Sequence, residues 1–170
     1  MNPLARFDRF LLTKDDADTM RSEFSPVLTS ATLTRDEPLR RLLETHKKVS
    51  GIYLWVLRHE AKEYKIYIGK TNSLANRLVN YVSEFQPHST NDYKLRVFSA
   101  FLAELAPEAA LDLYFSVTGV GNLEEAEKNA IRRYDPLLNQ LPPPSAEAKE
   151  RLKGAFEFYY RSAFELRLGK

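Results

Sequence analysis

Cysteine is absent from this chain of 170 residues, and histidine occurs only three times. Disulfide bonds and thiolate metal sites are therefore excluded, and the scattered histidines argue against a zinc site. No apolar run approaches the roughly 20 residues of a membrane-spanning helix. The first residues also lack the apolar stretch of a secretory signal. We therefore expect a cytoplasmic protein that does not enter a membrane.

A strong charge of either sign is missing as well, because the formal net charge is only +2. Proteins that bind nucleic acid usually neutralise phosphates with many Lys and Arg side chains. A DNA-binding function would therefore need its positive charge concentrated in one place. An enzyme that holds a metal through carboxylates has no need to be basic overall. At 44% hydrophobic residues, the chain can still bury a sizeable core.

The chain divides into three segments by composition and punctuation. Residues 1–50 predict a helical N-terminal extension, with one helix after Thr13 and another over about 34–48. Residues 51–140 predict a compact core. Residues 141–170 predict a Pro-rich linker and a C-terminal helix with an aromatic stripe. We expect the terminal helices to pack on the core or to join two copies into a homodimer.

Within the core, β-forming residues and turn signals predict a hairpin followed by alternating helices and a strand. The elements follow in this order: strands over 51–58 and 64–69, helices over 73–85 and 92–105, a strand over 111–117, and a helix over 122–134. The same reading gives the order β-β-α-α-β-α.

The helix predicted after Asn122 places a carboxylate where apolar residues are expected. At about 100° per residue, Glu127 falls within the apolar face of that helix. This face consists of Leu123, Ala126, Ala130, Ile131 and Tyr134. Burial of a lone carboxylate costs several kcal/mol unless a cation compensates for it. Glu127 is therefore either a core glutamate paired with an arginine or a metal ligand that faces a cleft.

Arg77 lies at the border of another predicted apolar face, one helical turn before Tyr81. A guanidinium at the edge of a core requires an anion. One candidate is Glu127, and the other is a phosphate of a substrate. Both can hold in turn, because an ion pair in the empty site can open when the phosphate arrives.

Tyr53 and Tyr67 lie on the two strands of the predicted hairpin, and Lys70 lies at its exit. Tyrosine is common in strands, so both rings can simply pack in the core. Alternatively, both hydroxyls point into one cleft. A free phenol has a pKa near 10, so only about one in a thousand is ionised at pH 7. To serve as a base it needs a nearby ammonium, for which Lys70 is the candidate. Otherwise Lys70 is a solvated surface residue.

An ordered set of short motifs links these residues. Gly-Ile-Tyr at 51–53 is followed, after thirteen residues, by Tyr-Ile-Gly at 67–69. Arg77, Glu127 and Asn139 then follow in order. This set resembles the catalytic core of the GIY-YIG nucleases, which cut phosphodiester bonds in DNA with one divalent metal.

The resemblance covers about residues 51–140. The stretch at 67–77 is most similar to the incision domain of the bacterial nucleotide-excision-repair nuclease. The resemblance implies an α/β fold with a three-stranded antiparallel sheet flanked by helices. It also implies a metal-dependent DNA endonuclease, with Mg²⁺ as the cofactor and Mn²⁺ as an alternative.

The resemblance further implies a role for each matching residue. Glu127 would be the metal ligand, and Arg77 would hold the phosphate oxygens. Tyr53 would position or deprotonate the attacking water with help from Lys70. Tyr67 and Asn139 would complete the site. The sequence leaves open which tyrosine is the base, and it also leaves open a catalytically inactive DNA-binding or protein-interaction module on the same scaffold.

The chain departs from the family pattern at two histidine positions. Some members carry a histidine four residues after the arginine, where this chain has Tyr81. His88 lies near the place of a second family histidine, but the spacing that follows does not match. We therefore assign it no role, and we expect His46 and His59 on the surface.

Overall fold

The fold is known from a computed structural model, which describes residues 2, 4–30, 41, 44–45, 47–82 and 90–141. Most of the helix expected over 34–48 and all of the C-terminal helix lie outside these residues. Within the described ranges, no helix is both long enough and apolar enough to cross a membrane.

The four strands of the described residues form one antiparallel sheet flanked by helices, so the predicted α/β class is confirmed. The strands are β1 (Ser25–Leu28), β2 (Gly51–His59), β3 (Lys62–Thr71) and β4 (Ala110–Val117), in the spatial order β1-β4-β2-β3. The helices of the described residues are α1 (Lys14–Glu23), α2 (Leu74–Val82), α3 (Thr90–Leu105) and α4 (Leu123–Tyr134). Short 3₁₀ helices occur at Ala5–Phe10, Val120–Asn122 and Leu138–Gln140.

The prediction of three strands is wrong, because the N-terminal segment adds a fourth strand at the edge of the sheet. In β1, Ser25 lies opposite Phe115 of β4, and the register shifts between Pro26 and Leu28. The strand has only four residues and contains a proline. Proline donates no backbone hydrogen bond, so it is tolerated on an edge strand but weakens the strand signal in a sequence.

The strand β2 lies at the centre of the molecule and is covered on both faces. Except for Arg58, all of its residues are buried. A continuous apolar run of this kind is typical of a strand with helices on both sides. Trp55 packs in a cluster with residues of α2 and α3, whereas Leu54 packs in a second cluster with residues of α1 and α4. The hairpin therefore forms the rigid support of the site.

Side-chain caps fix the starts of two helices. The Thr13 hydroxyl accepts a hydrogen bond from the Asp16 amide at 3.1 Å, and the Ser73 hydroxyl accepts one from the Asn76 amide at 3.4 Å. The predicted start of α4 is correct, but the Asn122 side chain makes no capping bond. Asn122 ends a 3₁₀ turn with ψ near 0°, whereas capping side chains normally belong to extended residues.

The expectation that His59 lies on the surface is wrong. His59 is the last residue of β2 and is only 4% exposed. Its Nε2 lies 2.7 Å from a carboxylate oxygen of Glu108. The position in a central strand buries the ring, which the polar sequence around the turn did not indicate.

Candidate active site

A cleft of about 550 Å³ opens where β3 leads into α2 and where α4 begins. Its lining residues are Lys70, Thr71, Asn72, Asn76, Arg77, Val120, Leu123 and Glu124. Thr71 lies opposite Gly51, which in turn lies opposite Val117 of β4. The cleft therefore lies at the end of the sheet where the hairpin motifs Gly-Ile-Tyr and Tyr-Ile-Gly meet.

Gly51 and Gly69 of the two motifs lie so close to neighbouring atoms that no larger residue fits at either position. Tyr53 and Gly69 lie directly opposite each other in β2 and β3. A Cβ atom added to Gly69 would collide with the ring and the hydroxyl of Tyr53. A Cβ added to Gly51 would collide with the Ser116 carbonyl and the Phe115 ring. Glycine at 69 therefore lets the Tyr53 phenol lie flat against β3 beside the cleft.

The Tyr53 phenol is held in place by Arg77. The Arg77 Nε donates a hydrogen bond to the Tyr53 hydroxyl at 3.0 Å. The guanidinium carbon also lies 5.9 Å from the centre of the Tyr53 ring. Tyr53 itself is only 2% exposed, while Arg77 lines the cleft. The buried phenol thus orients a guanidinium at the cleft surface.

Tyr67 lies next to Tyr53, with 6.1 Å between the ring centres and an angle of 54° between the rings. It is 3% exposed. Burial raises the pKa of Tyr67, and the nearby Tyr53 and Glu127 add to this effect while Arg77 opposes it. At neutral pH Tyr67 therefore keeps its proton. In this form it can donate a hydrogen bond.

Glu127 forms an ion pair with Lys70, with 2.8 Å between Oε2 and Nζ. The side chains are 20% and 40% exposed, respectively. The hydrogen bond to Glu127 raises the pKa of Lys70. One interpretation of the sequence gave Glu127 an arginine as its partner, and the structure places a lysine beside it. Lys70 therefore lies beside the Glu127 carboxylate, whereas the sequence makes it the candidate ammonium near a tyrosine phenol.

Asn139 binds the backbone of β3. Its Oδ1 accepts a hydrogen bond from the Ile68 amide, and its Nδ2 donates one to the Ile68 carbonyl, both at 2.8 Å. The chain reaches this position because Asp135 ends α4 in the left-handed conformation, with φ of 47°. The backbone amide of Leu137 then donates a hydrogen bond to the Lys65 carbonyl at 3.1 Å. The Asn139 side chain therefore makes the two backbone hydrogen bonds that a neighbouring strand would make with Ile68 at the outer edge of β3, between Tyr67 and Gly69.

The structure brings five of the residues proposed from sequence into one connected group, and it places Asn139 against the same strand. Lys70 and Arg77 line the cleft, and Glu127 and Tyr53 contact them. Four further polar residues line the cleft that were not among the residues predicted from sequence, namely Thr71, Asn72, Asn76 and Glu124. Spacing would have found Glu124, because it lies one helical turn before Glu127.

The donor set of the cleft fits a divalent cation that is held mainly by water and phosphate. Among the described residues, no three His, Asp or Glu side chains come together as a metal cage. Mg²⁺ commonly binds through one or two carboxylates and keeps several water ligands. Glu127, which contacts Lys70 of the lining, would supply one hard oxygen ligand, and Glu124 is a second carboxylate in the lining. This set fits Mg²⁺ or Mn²⁺ and does not fit zinc.

No protein-family model matches the chain, and no curated protein matches it either. Among solved structures, it is similar to the GIY-YIG N-terminal endonuclease domain of UvrC from Thermotoga maritima, seen in three tyrosine-to-phenylalanine mutants bound to a catalytic divalent cation. Each is 23% identical with a TM-score of 0.37, and each match covers 62% of this chain and 98% or 99% of that domain. At this identity and TM-score, the function of this chain is argued from its own side chains and not from these domains.

Proposed function

We propose that this chain is a metal-dependent DNA endonuclease that hydrolyses phosphodiester bonds in the cleft beside α2 and α4. The observation that supports this proposal is the arrangement of Arg77 and the Lys70–Glu127 pair at one cleft. The buried Tyr53 and Tyr67 lie beneath them, and Arg77 donates a hydrogen bond to Tyr53. A guanidinium suits a phosphate, and a partly buried carboxylate suits a hard cation. The two groups therefore match the two requirements of phosphodiester hydrolysis.

The charge of the cleft supports DNA as the substrate. Two cations, Lys70 and Arg77, lie close to two carboxylates, Glu124 and Glu127. Glu124 is also paired with Lys128 at 2.7 Å. A divalent cation at Glu127 would leave positive charge in excess, which attracts a phosphate backbone. The modest net charge of the whole chain is therefore no obstacle, because the charge that matters is local.

Arg77 would bind the non-bridging oxygens of the scissile phosphate. Its guanidinium has five N–H donors in a planar fork. The Nε donates to Tyr53, which sets the plane of the fork at the cleft surface. Donors that are already oriented stabilise the charge that develops in the transition state without reorganisation.

Tyr53 would orient the attacking water. It would first release its own proton to solvent and then, as a phenolate, receive a proton from the water. Hydrolysis forms one bond between the water oxygen and phosphorus and breaks one ester P–O bond. A proton must therefore leave the water, and another must reach the leaving oxygen from solvent. Negative charge on the Tyr53 oxygen would be stabilised by the guanidinium 3.0 Å away. Tyr67, whose pKa is raised by burial, would act as a hydrogen-bond donor.

Glu127 would hold Mg²⁺, or Mn²⁺ in its place. When bound, the cation would supply positive charge next to the phosphate and the leaving oxygen. Asn139 would act as a positioning residue, because its two bonds to Ile68 hold the part of β3 that carries Tyr67 and Gly69. Lys70 would have to leave the Glu127 carboxylate when the cation arrives, and it would then lie beside the phosphate.

Replacement of Lys70 by methionine should therefore raise the affinity for Mn²⁺. The ammonium competes for the same carboxylate, so its removal should lower the dissociation constant about tenfold. Titration calorimetry or the electron paramagnetic resonance of free Mn²⁺ measures this directly, without any cleavage. At saturating Mn²⁺ the cleavage rate should fall, because Lys70 no longer stands beside the phosphate.

Lys62→Met is the matched control for this experiment. Lys62 lies at the other end of β3, is 41% exposed and pairs with Asp8 at 3.3 Å. Its replacement should leave Mn²⁺ affinity within about twofold of the wild type, since the pair is far from the cleft. An unchanged or weaker affinity in Lys70→Met would show that Glu127 does not bind the cation.

A cleavage assay tests the proposed function itself. Purified protein with Mg²⁺ or Mn²⁺ should cut at least one of plasmid, branched or single-stranded DNA. Chelation of the metal should stop the reaction, and added metal should restore it. DNA binding without cleavage of any of these forms would overturn the proposal.

That outcome would favour the second candidate, a catalytically inactive DNA-binding or protein-interaction module. The observation in its favour is that both tyrosines are almost completely buried and Glu127 is already neutralised by Lys70. In such a module the same contacts would serve stability alone. Substitution of Glu127 would then change neither a metal-dependent reaction nor the affinity for Mn²⁺.

A further inference from the structure

We propose that two exposed valines on the rim of the cleft select DNA in which the bases beside the scissile phosphate are unpaired. This inference rests on the proposed nuclease function and names the class of substrate. Val117 is 75% exposed and Val120 is 66% exposed. Burial of these apolar side chains against a partner would be favourable.

Both valines belong to the cleft end of the sheet. Val120 is one of the lining residues of the cleft. Val117 is the last residue of β4 and lies in one cross-strand row with Gly51 and with Thr71, which also lines the cleft. Val120 therefore borders the same space as Arg77, and Val117 lies at the same end of the sheet.

Hydrogen bonds hold the segment over 117–122 in place, so the two valine side chains stay at the protein surface. The Thr118 amide donates to the Ser50 carbonyl at 3.0 Å, and the Ser50 hydroxyl donates to the Thr118 carbonyl at 2.7 Å. The backbone amide of Asn122 donates a hydrogen bond to the Gly119 carbonyl at 2.9 Å. A Cβ added at Gly119 would meet no atom within 4 Å, so this part of the loop stands clear of the protein.

The chemistry of the cleft indicates what covers the valines. Lys70 and Arg77 line the cleft. In the proposed function they would hold a phosphate, so the adjacent groups along the DNA strand would be a deoxyribose and a base. In a stacked, paired duplex the apolar faces of the bases are covered, and the surface near the backbone is polar. An unpaired base exposes its flat face, and apolar side chains that enter base steps unstack them in other DNA-binding proteins. Two isopropyl groups beside a phosphate site therefore match an unpaired base better than paired DNA.

Val120→Thr tests this inference, because threonine keeps the shape of valine and removes its apolar character. Two labelled duplexes would be compared, which differ only in a mismatch beside the cut. The wild type should cut the mismatched duplex with a kcat/KM about tenfold higher than the paired one. In Val120→Thr this ratio should fall to about twofold, mainly through slower cutting of the mismatched duplex.

Leu105→Thr is the control, since Leu105 is 42% exposed and ends α3, near the opposite end of β4. It should keep the wild-type ratio. Equal cutting of both duplexes by the wild type, with Val120→Thr unchanged, would overturn the inference and leave the nuclease function standing. The valines would then be a contact for a protein partner. Absence of any cutting would instead overturn the proposed function.

A fluorescent base gives a readout that does not need cleavage. With 2-aminopurine at the mismatch and the metal chelated, binding of the wild type should raise the fluorescence, because the base leaves the stack. Val120→Thr should bind with a smaller rise, whereas Leu105→Thr should match the wild type. An identical rise in all three proteins would contradict a contact between Val120 and the base.

Discussion

Glu127→Gln is expected to lower metal-dependent cleavage by at least about a hundredfold, while the protein still folds and binds DNA. The change keeps the size and shape of the side chain but removes the charge that a divalent cation requires. DNA binding should persist or improve, because a negative charge near the phosphate is lost. The rate with Mg²⁺ and with Mn²⁺, and the affinity for uncut DNA in chelator, measure both effects.

The stability of this variant should change little. The Lys70–Glu127 pair is partly exposed, and pairs of this kind contribute about 0–1 kcal/mol. Glu125→Gln is the matched control, because Glu125 is exposed on the same helix and should retain the wild-type rate. Equal cleavage by Glu127→Gln and the wild type would show that Glu127 holds no metal. A variant that unfolds would show that its ion pair is structural.

The helices and strands of the core could be predicted from sequence where local signals agree. Thr13 and Ser73 mark helix starts through hydroxyls that accept backbone bonds, which depends on neighbouring residues alone. The strand β1 could not be predicted in this way. It is short and contains Pro26, and it becomes a strand only because β4 offers a free edge. Its existence is a property of the assembled sheet.

The candidate site shows the same division between local and long-range information. Spacing alone selected Glu127 as a carboxylate on an apolar face, and that residue is 20% exposed. Spacing could not tell that Lys70 would be its cation, since the pairing depends on how α4 packs against β3. The position of Tyr67 depends on a register shift in the hairpin between Trp55 and Val56. Such irregularities are not visible in a motif.

Arg77→Ala should lower cleavage about a hundredfold to a thousandfold, which corresponds to roughly 3–4 kcal/mol of transition-state stabilisation. The reason is that the guanidinium is the group best placed to bind the phosphate oxygens as their charge increases. The variant also loses the hydrogen bond from Nε to the Tyr53 hydroxyl. That loss should cost only about 1 kcal/mol of the free energy of unfolding.

Arg77→Lys separates the two roles of this side chain. Lysine restores the positive charge but lacks the planar fork and the Nε donor, so it should restore DNA binding and leave cleavage well below the wild type. Denaturant unfolding, measured beside single-turnover cleavage for both variants, distinguishes a catalytic from a structural loss. If Arg77→Ala unfolds, or if its loss of cleavage merely follows its loss of stability, the contact with Tyr53 is the main role of Arg77. If Arg77→Lys cuts as fast as the wild type, positive charge alone is sufficient, and the orientation by Tyr53 has no part in catalysis.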